Sequence, residues 1–160
     1  MFHVLRSMTV EIRTWDPALA AHFGRLNREW IQRLFELEPA DEEILADPGA
    51  LIEAGGEIVF AMAGDEVVGT AGLQKLDEHT VELVKMAVTP AWQSRGIGGM
   101  MLAELIAVAR RRDFACLYIE TNSSLAPSNR LYQKYGFKST GQTESRHSYA
   151  RADIFYELIL

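Results

Sequence analysis

Val10-Glu11-Ile12-Arg13-Thr14-Trp15 alternates apolar and polar residues, the period of a half-buried strand. Asp16-Pro17 supplies an N-cap followed by a first-turn proline. From there Leu19, Phe23, Leu26, Trp30, Ile31, Leu34 and Phe35 recur at helical spacing, which predicts a helix over about 17–37. Asp41 is placed to cap a short second helix running to about Ala46, and Gly55-Gly56 breaks the chain. Residues 58–63 form an apolar run and 67–76 its hairpin partner across a turn at Gly64-Asp65-Glu66. A further strand spans 80–88 and stops at Thr89-Pro90. Met101, Leu102, Leu105, Ile106 and Ala109 make an apolar stripe on a helix over 98–112. A short apolar strand over 114–119 has the character of a buried central position. A helix over 127–135 ends at Gly136, and 137–140 and 154–160 close the set as strands. The order βααβββαβαββ predicts a single α/β (α+β) domain on a mixed sheet.

Composition narrows the function classes. The chain has 160 residues, 48% hydrophobic and 24% charged, enough to bury one core and unlike a disordered chain. No apolar run approaches the ~20 residues that cross a bilayer. The first seven residues have no signal-peptide core, so 1–8 is expected to be an extension and 9–160 the domain. Cys116 is the single cysteine, which excludes an internal disulfide and makes a cytoplasmic setting the expectation. A net charge of −6 argues against nucleic acid or an anionic membrane as partner. Charge is unevenly spread: no Lys or Arg lies between Arg33 and Lys75, where ten acids fall, whereas 85–138 carries eight basic residues against three acids. That division suggests an anionic ligand on the second half and a cationic one near the first.

Gln93-Ser94-Arg95-Gly96-Ile97-Gly98-Gly99-Met100 joins a predicted strand to a predicted helix. Unpaired N–H groups and the macrodipole make such a helix start a phosphate cradle, and glycines let a ligand approach the backbone. Gly99-Met100-Met101 lacks the Lys-Ser/Thr of a P-loop, and Met101 stands where a dinucleotide fingerprint needs glycine. At this loop the chain resembles the GNAT superfamily of acetyl-CoA-dependent N-acetyltransferases, whose loop reads Gln/Arg-x-x-Gly-x-Gly/Ala. The strand end Met86-Ala87-Val88-Thr89-Pro90 and the later Leu131-Tyr132-Gln133-Lys134-Tyr135-Gly136-Phe137 are similar to family segments at the expected distance.

The resemblance implies a GNAT-like, mostly antiparallel sheet flanked by helices, with acetyl-CoA as acyl donor and no metal. Cofactor contacts are expected from Met86, Ala87 and Val88, from each residue of Gln93 to Met100 (including Ser94, Arg95, Ile97 and Gly99), from Tyr132, and from Asn122 or Asn129, which lie near the family's Asn position. Tyr132 is expected to protonate the departing thiolate. Glu82 falls where histone-type members place a general base, and alternation puts it on one face with Val84, Met86 and Val88. His79 and His147 are weaker candidates for the base, and Cys116 reads as core. The family also implies that the strand splays after Met86, that the Val88 N–H polarises the thioester carbonyl, and that transfer is direct, within a ternary complex. The acceptor is a small-molecule amine or a protein lysine, and the acid-rich stretch suggests that it is cationic. Homodimers are common in the family. The rival reading is a regulatory module that binds acyl-CoA without turnover.

Overall fold

A computed structural model describes residues 9–160; the expected extension 1–8 lies outside the described residues. Strand β1 (Val10–Arg13) leads through a 3-10 turn at Pro17–Leu19 into α1 (Ala20–Leu34), and the Asp16 carboxylate accepts from the Ala18 N–H at 2.9 Å. Two short helices follow, α2 (Pro39–Ala46) and α3 (Pro48–Glu53). Then come β2 (Glu57–Ala63), β3 (Glu66–Lys75), β4 (Thr80–Val88), α4 (Ile97–Arg111), β5 (Cys116–Thr121), α5 (Ala126–Lys134), β6 (Lys138–Ser139) and β7 (Ile154–Ile159). The strands form one seven-stranded sheet in the order β1-β2-β3-β4-β5-β7-β6, antiparallel except for β4 beside β5. The mixed, mostly antiparallel α+β architecture therefore matches the expectation. No helix among the described residues is long and apolar enough to cross a membrane.

Each face of the sheet carries its own core. On one side Ile97, Met101, Leu102, Leu105 and Ala109 of α4 pack on Val59, Ala61, Val68, Leu83 and Leu117. On the other, Phe23 and Leu26 of α1 with Leu45 and Leu51 pack on Ile58, Phe60, Met62, Val84 and Ala87. The central strands are apolar on both faces because both are covered.

Several sequence expectations need correction. A third helix, α3, was missed: six residues are too few to show a helical period. Asp41 does not stand at the N-cap of α2; Glu38 does, and Asp41 sits three residues inside, where its carboxylate accepts the Glu38 N–H at 2.9 Å.

The largest correction concerns β4. Opposite β3 the register runs Gly72↔Val84 and then Thr70↔Ala87, so β4 holds one extra residue. Lys85 absorbs it in a left-handed conformation (φ 55°), a β-bulge. The bulge breaks the alternation. Val84 and Ala87 belong to the α1 side, whereas Met86 and Val88 pack on the α4 side. Glu82, Val84, Met86 and Val88 thus do not share a face.

Gly56, just before β2, is the tightest backbone approach in this region. A Cβ there would lie 2.5 Å from Leu51 Cδ2 and 2.7 Å from the Leu51 carbonyl oxygen, and would meet the Leu73 carbonyl oxygen as well. Two backbone oxygens cannot rotate aside, so Gly56→Ala is expected to destabilise by about 1–3 kcal/mol or more. Denaturant unfolding of the variant checks this; unchanged stability would refute it.

Candidate active site

Strands β4 and β5 are paired only at Thr80↔Cys116, Val81↔Leu117 and Glu82↔Tyr118. They therefore part beyond Glu82, four residues earlier than the expected splay after Met86. A cavity of about 670 Å³ opens in the gap. Its lining joins β4, the loop before α4, the end of β5, α5, the end of α1 and residues 147–152.

The register fixes where the backbone of β4 points. Thr89 N–H donates to the Val68 carbonyl at 2.8 Å, making those two a hydrogen-bonded pair. The adjacent opposed pair, Gly69↔Val88, is then non-hydrogen-bonded, because the two kinds alternate in an antiparallel ladder. The N–H and C=O of Val88 accordingly face away from β3, into the gap left by β5. The Gln93 side-chain amide takes the carbonyl at 3.1 Å, which ties the loop to the strand.

Helix α4 begins beside this point. Its N-cap, Gly96, has φ 80° and offers no side chain to the first turn. The first internal bond is Met100 N–H to the Gly96 carbonyl at 3.1 Å, so the N–H groups of Ile97, Gly98 and Gly99 have no partner within the helix. All three residues line the cavity. Arg95 stacks on Trp92, 4.5 Å from the ring centroid, and with Met100 lies outside the lining.

Of the two candidate asparagines, Asn122 lines the cavity and Asn129 does not. The Asn129 amide donates to the Asn122 and Leu125 carbonyls at 3.0 and 2.8 Å and its oxygen accepts the Tyr156 hydroxyl at 2.8 Å, so its bonds are all used to seat α5. Tyr132, on α5, reaches the cavity while its ring packs, tilted by about 60°, against Phe137 and Tyr156. Burial raises its phenol well above the ordinary value, so it is a neutral O–H donor at pH 7.

Glu82 is only 3% exposed, yet it lines the same cavity. Its Oε1 lies 2.6 Å from His147 Nε2. Burial pushes the Glu82 carboxyl above the usual carboxylate range, with the His147 bond acting against that rise. The same bond raises the imidazole, against partial burial. In sequence His147 reads as a lone loop histidine of the kind that is usually just solvated, and only the fold brings it to Glu82, 65 residues away. His79 takes no part: its N–H is held by Asp77 Oδ1 at 2.8 Å in an exposed turn. Glu82, Glu120 and His147 bring ligand-type atoms within 4.8 Å of one another. Glu120 is already filled by the Tyr118 hydroxyl (2.8 Å), the Arg146 N–H (2.7 Å) and Ser145 Oγ. Glu120 is thus committed to its neighbours, while Glu82 and His147 are bonded to each other.

The acidic rim suggested by the sequence does not exist as such. None of the ten acids lines the cavity. Asp41 is fully buried and accepts from Lys85 Nζ at 2.5 Å and from Arg151 at 2.5 and 2.8 Å. Burial alone would raise its carboxyl; the bonds from Arg151 and Lys85 win and hold it at about 2. Glu38 pairs with Arg151, Glu42 with Arg28 and Glu57 with Arg112.

The acetyltransferase (GNAT) family model matches residues 21–137. The chain belongs to the GNAT family. Among GNAT relatives, the N-alpha-acetyltransferase RimI of Mycobacterium tuberculosis is 30% identical over 142 residues, covering 82% of this chain and 87% of that protein. The uncharacterized N-acetyltransferase YvbK of Bacillus subtilis is 35% identical over 99 residues, 59% of this chain. The match spans 64% of YvbK's length, just under two thirds. A GNAT acetyltransferase from Staphylococcus aureus Mu50 superposes with a TM-score of 0.85 at 19% identity, covering 95% and 99% of the two chains. YncA from Salmonella typhimurium, solved with acetyl-CoA, superposes at 0.77 with 24% identity over 94% of each chain.

The site fits the GNAT cofactor: a run of unpartnered helix-start N–H groups lines a cavity, with no side chain across Gly96, where a Cβ would find nothing within 4 Å. Gly98 gives the test. A Cβ there lies 3.5 Å from Leu131 and 4.0 Å from Met86, ordinary contacts, and an acid is welcome in a first helical turn. Gly98→Asp should therefore fold, yet place a carboxylate beside the unpartnered N–H groups that are the candidate cradle for the cofactor's pyrophosphate. Acetyl-CoA affinity is expected to fall at least tenfold, about 1.4 kcal/mol; calorimetry showing no change would refute the cradle.

Proposed function

We propose that the protein transfers the acetyl group of acetyl-CoA to a primary amine by direct attack within a ternary complex. The observation that carries this is the buried Glu82–His147 pair opening into the same cavity as the α4 start and Tyr132. Acetyl-CoA supplies the activated thioester. The unpartnered N–H groups at the start of α4 hold its pyrophosphate, and Gln93, Ser94 and Asn122 flank the channel. The amine arrives as an ammonium cation, attracted by Glu82 and Glu120. Glu82 removes one proton so that the nitrogen lone pair is free to attack, and His147, which is less buried, exchanges that proton with water. The Val88 N–H faces the gap and stabilises the carbonyl oxygen as it gains charge. Tyr132 donates its phenolic proton to the sulfur as the carbon–sulfur bond breaks, and the second proton, shed by the nitrogen as the amide forms, restores the phenol by way of water in the cavity.

The relatives' names support an amine acceptor: RimI of Mycobacterium tuberculosis is named an N-alpha-acetyltransferase. A module that only bound acyl-CoA would need neither a buried carboxylate beside its ligand nor a histidine bonded to it. A burial cost of this kind is retained where chemistry uses it.

Thiol release from acetyl-CoA with a panel of primary amines tests the reading. Glu82→Gln is expected to lower kcat at least 10²-fold and Tyr132→Phe roughly 10²-fold, both with acetyl-CoA affinity unchanged. Wild-type kcat in either variant would contradict its role, and no thiol release with any amine would contradict the activity.

A further inference from the structure

We infer that the acceptor is a small amine carried on an apolar or aromatic body, and not a polypeptide N-terminus, a protein lysine or a polyamine. The inference rests on the acetyltransfer reading and narrows its substrate class. Two observations converge. First, the wall of the cavity beyond Glu82 is apolar: Trp30, Leu34, Phe35 and Ile44 line it from the end of α1 and from α2. Leu34 is 54% exposed, an unusual position for a large aliphatic side chain that no protein group covers. Trp30 and Phe35 meet edge to face at 6.2 Å, and Trp30 Nε1 is already bonded to Asn27 at 3.0 Å, so the indole presents carbon to the cavity.

Second, the two walls of this half are stitched together. Arg151, from the segment between β6 and β7, bonds Asp41 and Glu38 of the α2 region, and Ala150 N–H bonds Glu38 at 3.0 Å. Lys85 reaches Asp41 from β4 and also bonds the Tyr149 hydroxyl at 3.1 Å. Tyr149 is held between the Lys85 ammonium (4.7 Å from its centroid) and the Arg151 guanidinium (4.5 Å). This buried ion cluster fixes the two walls relative to each other, which suits a compact amine better than a polypeptide chain. The cluster also argues against a second ammonium. Lys85 and Arg151 line the cavity, and Arg33 stands among the apolar residues of its wall with no carboxylate partner among the described residues. The carboxylates that draw in one amine, Glu82 and Glu120, lie at the inner end.

Phenethylamine is the probe, compared with ethanolamine, spermidine and an Ala-initiated tetrapeptide. Quenching of tryptophan fluorescence on the CoA-loaded protein reads binding; thiol release at saturating acetyl-CoA reads turnover. Phenethylamine is expected to quench with saturation, and Trp30→Phe to abolish most of that signal. Its kcat/KM is expected to exceed that of ethanolamine and of spermidine at least tenfold, with the tetrapeptide at background. Ile44→Ser should cut the phenethylamine value severalfold and leave the acetyl-CoA KM in place. Absent phenethylamine binding, or a tetrapeptide or spermidine turned over best, overturns this inference and leaves acetyl transfer standing. Saturable phenethylamine binding without thiol release from any amine upholds the pocket and overturns the activity.

Discussion

Everything at the site depends on where β4 lets go of β5. Three paired residues hold the strands together, and beyond Glu82↔Tyr118 the backbones diverge. A buried parting would normally be costly, because it strips partners from strand N–H and C=O groups. Here the released groups are used. The Val88 carbonyl is taken by Gln93, and its N–H is left facing the cavity. The bulge at Lys85 works with the parting. By adding a residue to β4 it sends the Lys85 ammonium to Asp41 and turns Met86 and Val88 to the α4 side.

Burial sets the chemistry on either side of that gap. Glu82 and Tyr132 are both removed from water, and for both the protonated form is favoured by that removal. The difference lies in their partners. Glu82 has His147, which favours the carboxylate and connects it to solvent, so it can shed a proton and take another. Tyr132 sits among Phe137 and Tyr156 and stays a phenol. Asp41 is the counterexample that makes the pattern clear. It is as buried as Glu82, but two cations bond it directly, so it remains ionised and serves as a structural clasp. Removing either partner from such a cluster leaves a buried charge uncompensated, a loss of about 3–5 kcal/mol, so this clasp has to stay shut in the folded protein.

The sequence was legible where local physics decides. Strand β4 was read to the residue, and the helices α1, α4 and α5 were placed to within a few positions by apolar period, by Asp16 and by Gly136. The loop from Gln93 to Met100 announced itself through glycines between a strand and a helix, and most of its residues do line the cavity. What could not be read depends on tertiary placement. Nothing in the pattern of 80–88 marks Lys85 as a left-handed bulge, since lysine has no preference for that conformation. The acids between Glu36 and Glu66 look solvated in sequence, yet Asp41, Glu38 and Glu57 are consumed by Lys85, Arg151 and Arg112 from 44 to 113 residues away. His147 is the same case: only the fold brings it to Glu82. Asn129 erred in the other direction, a polar residue near a motif that turned out to hold the helix rather than face the cavity.

The central claim is that Glu82, tuned by His147, is the group that takes the acceptor's proton. The direct test is the pH dependence of kcat/KM in the wild type and in His147→Phe, which keeps a ring against Tyr149 but removes the nitrogen bonded to Glu82. In the wild type kcat/KM should rise with pH as Glu82 ionises. Losing the partner that favours the carboxylate leaves burial unopposed and raises the carboxyl further, so the acid limb should move to higher pH. An acid limb at the same pH in both proteins would contradict the account.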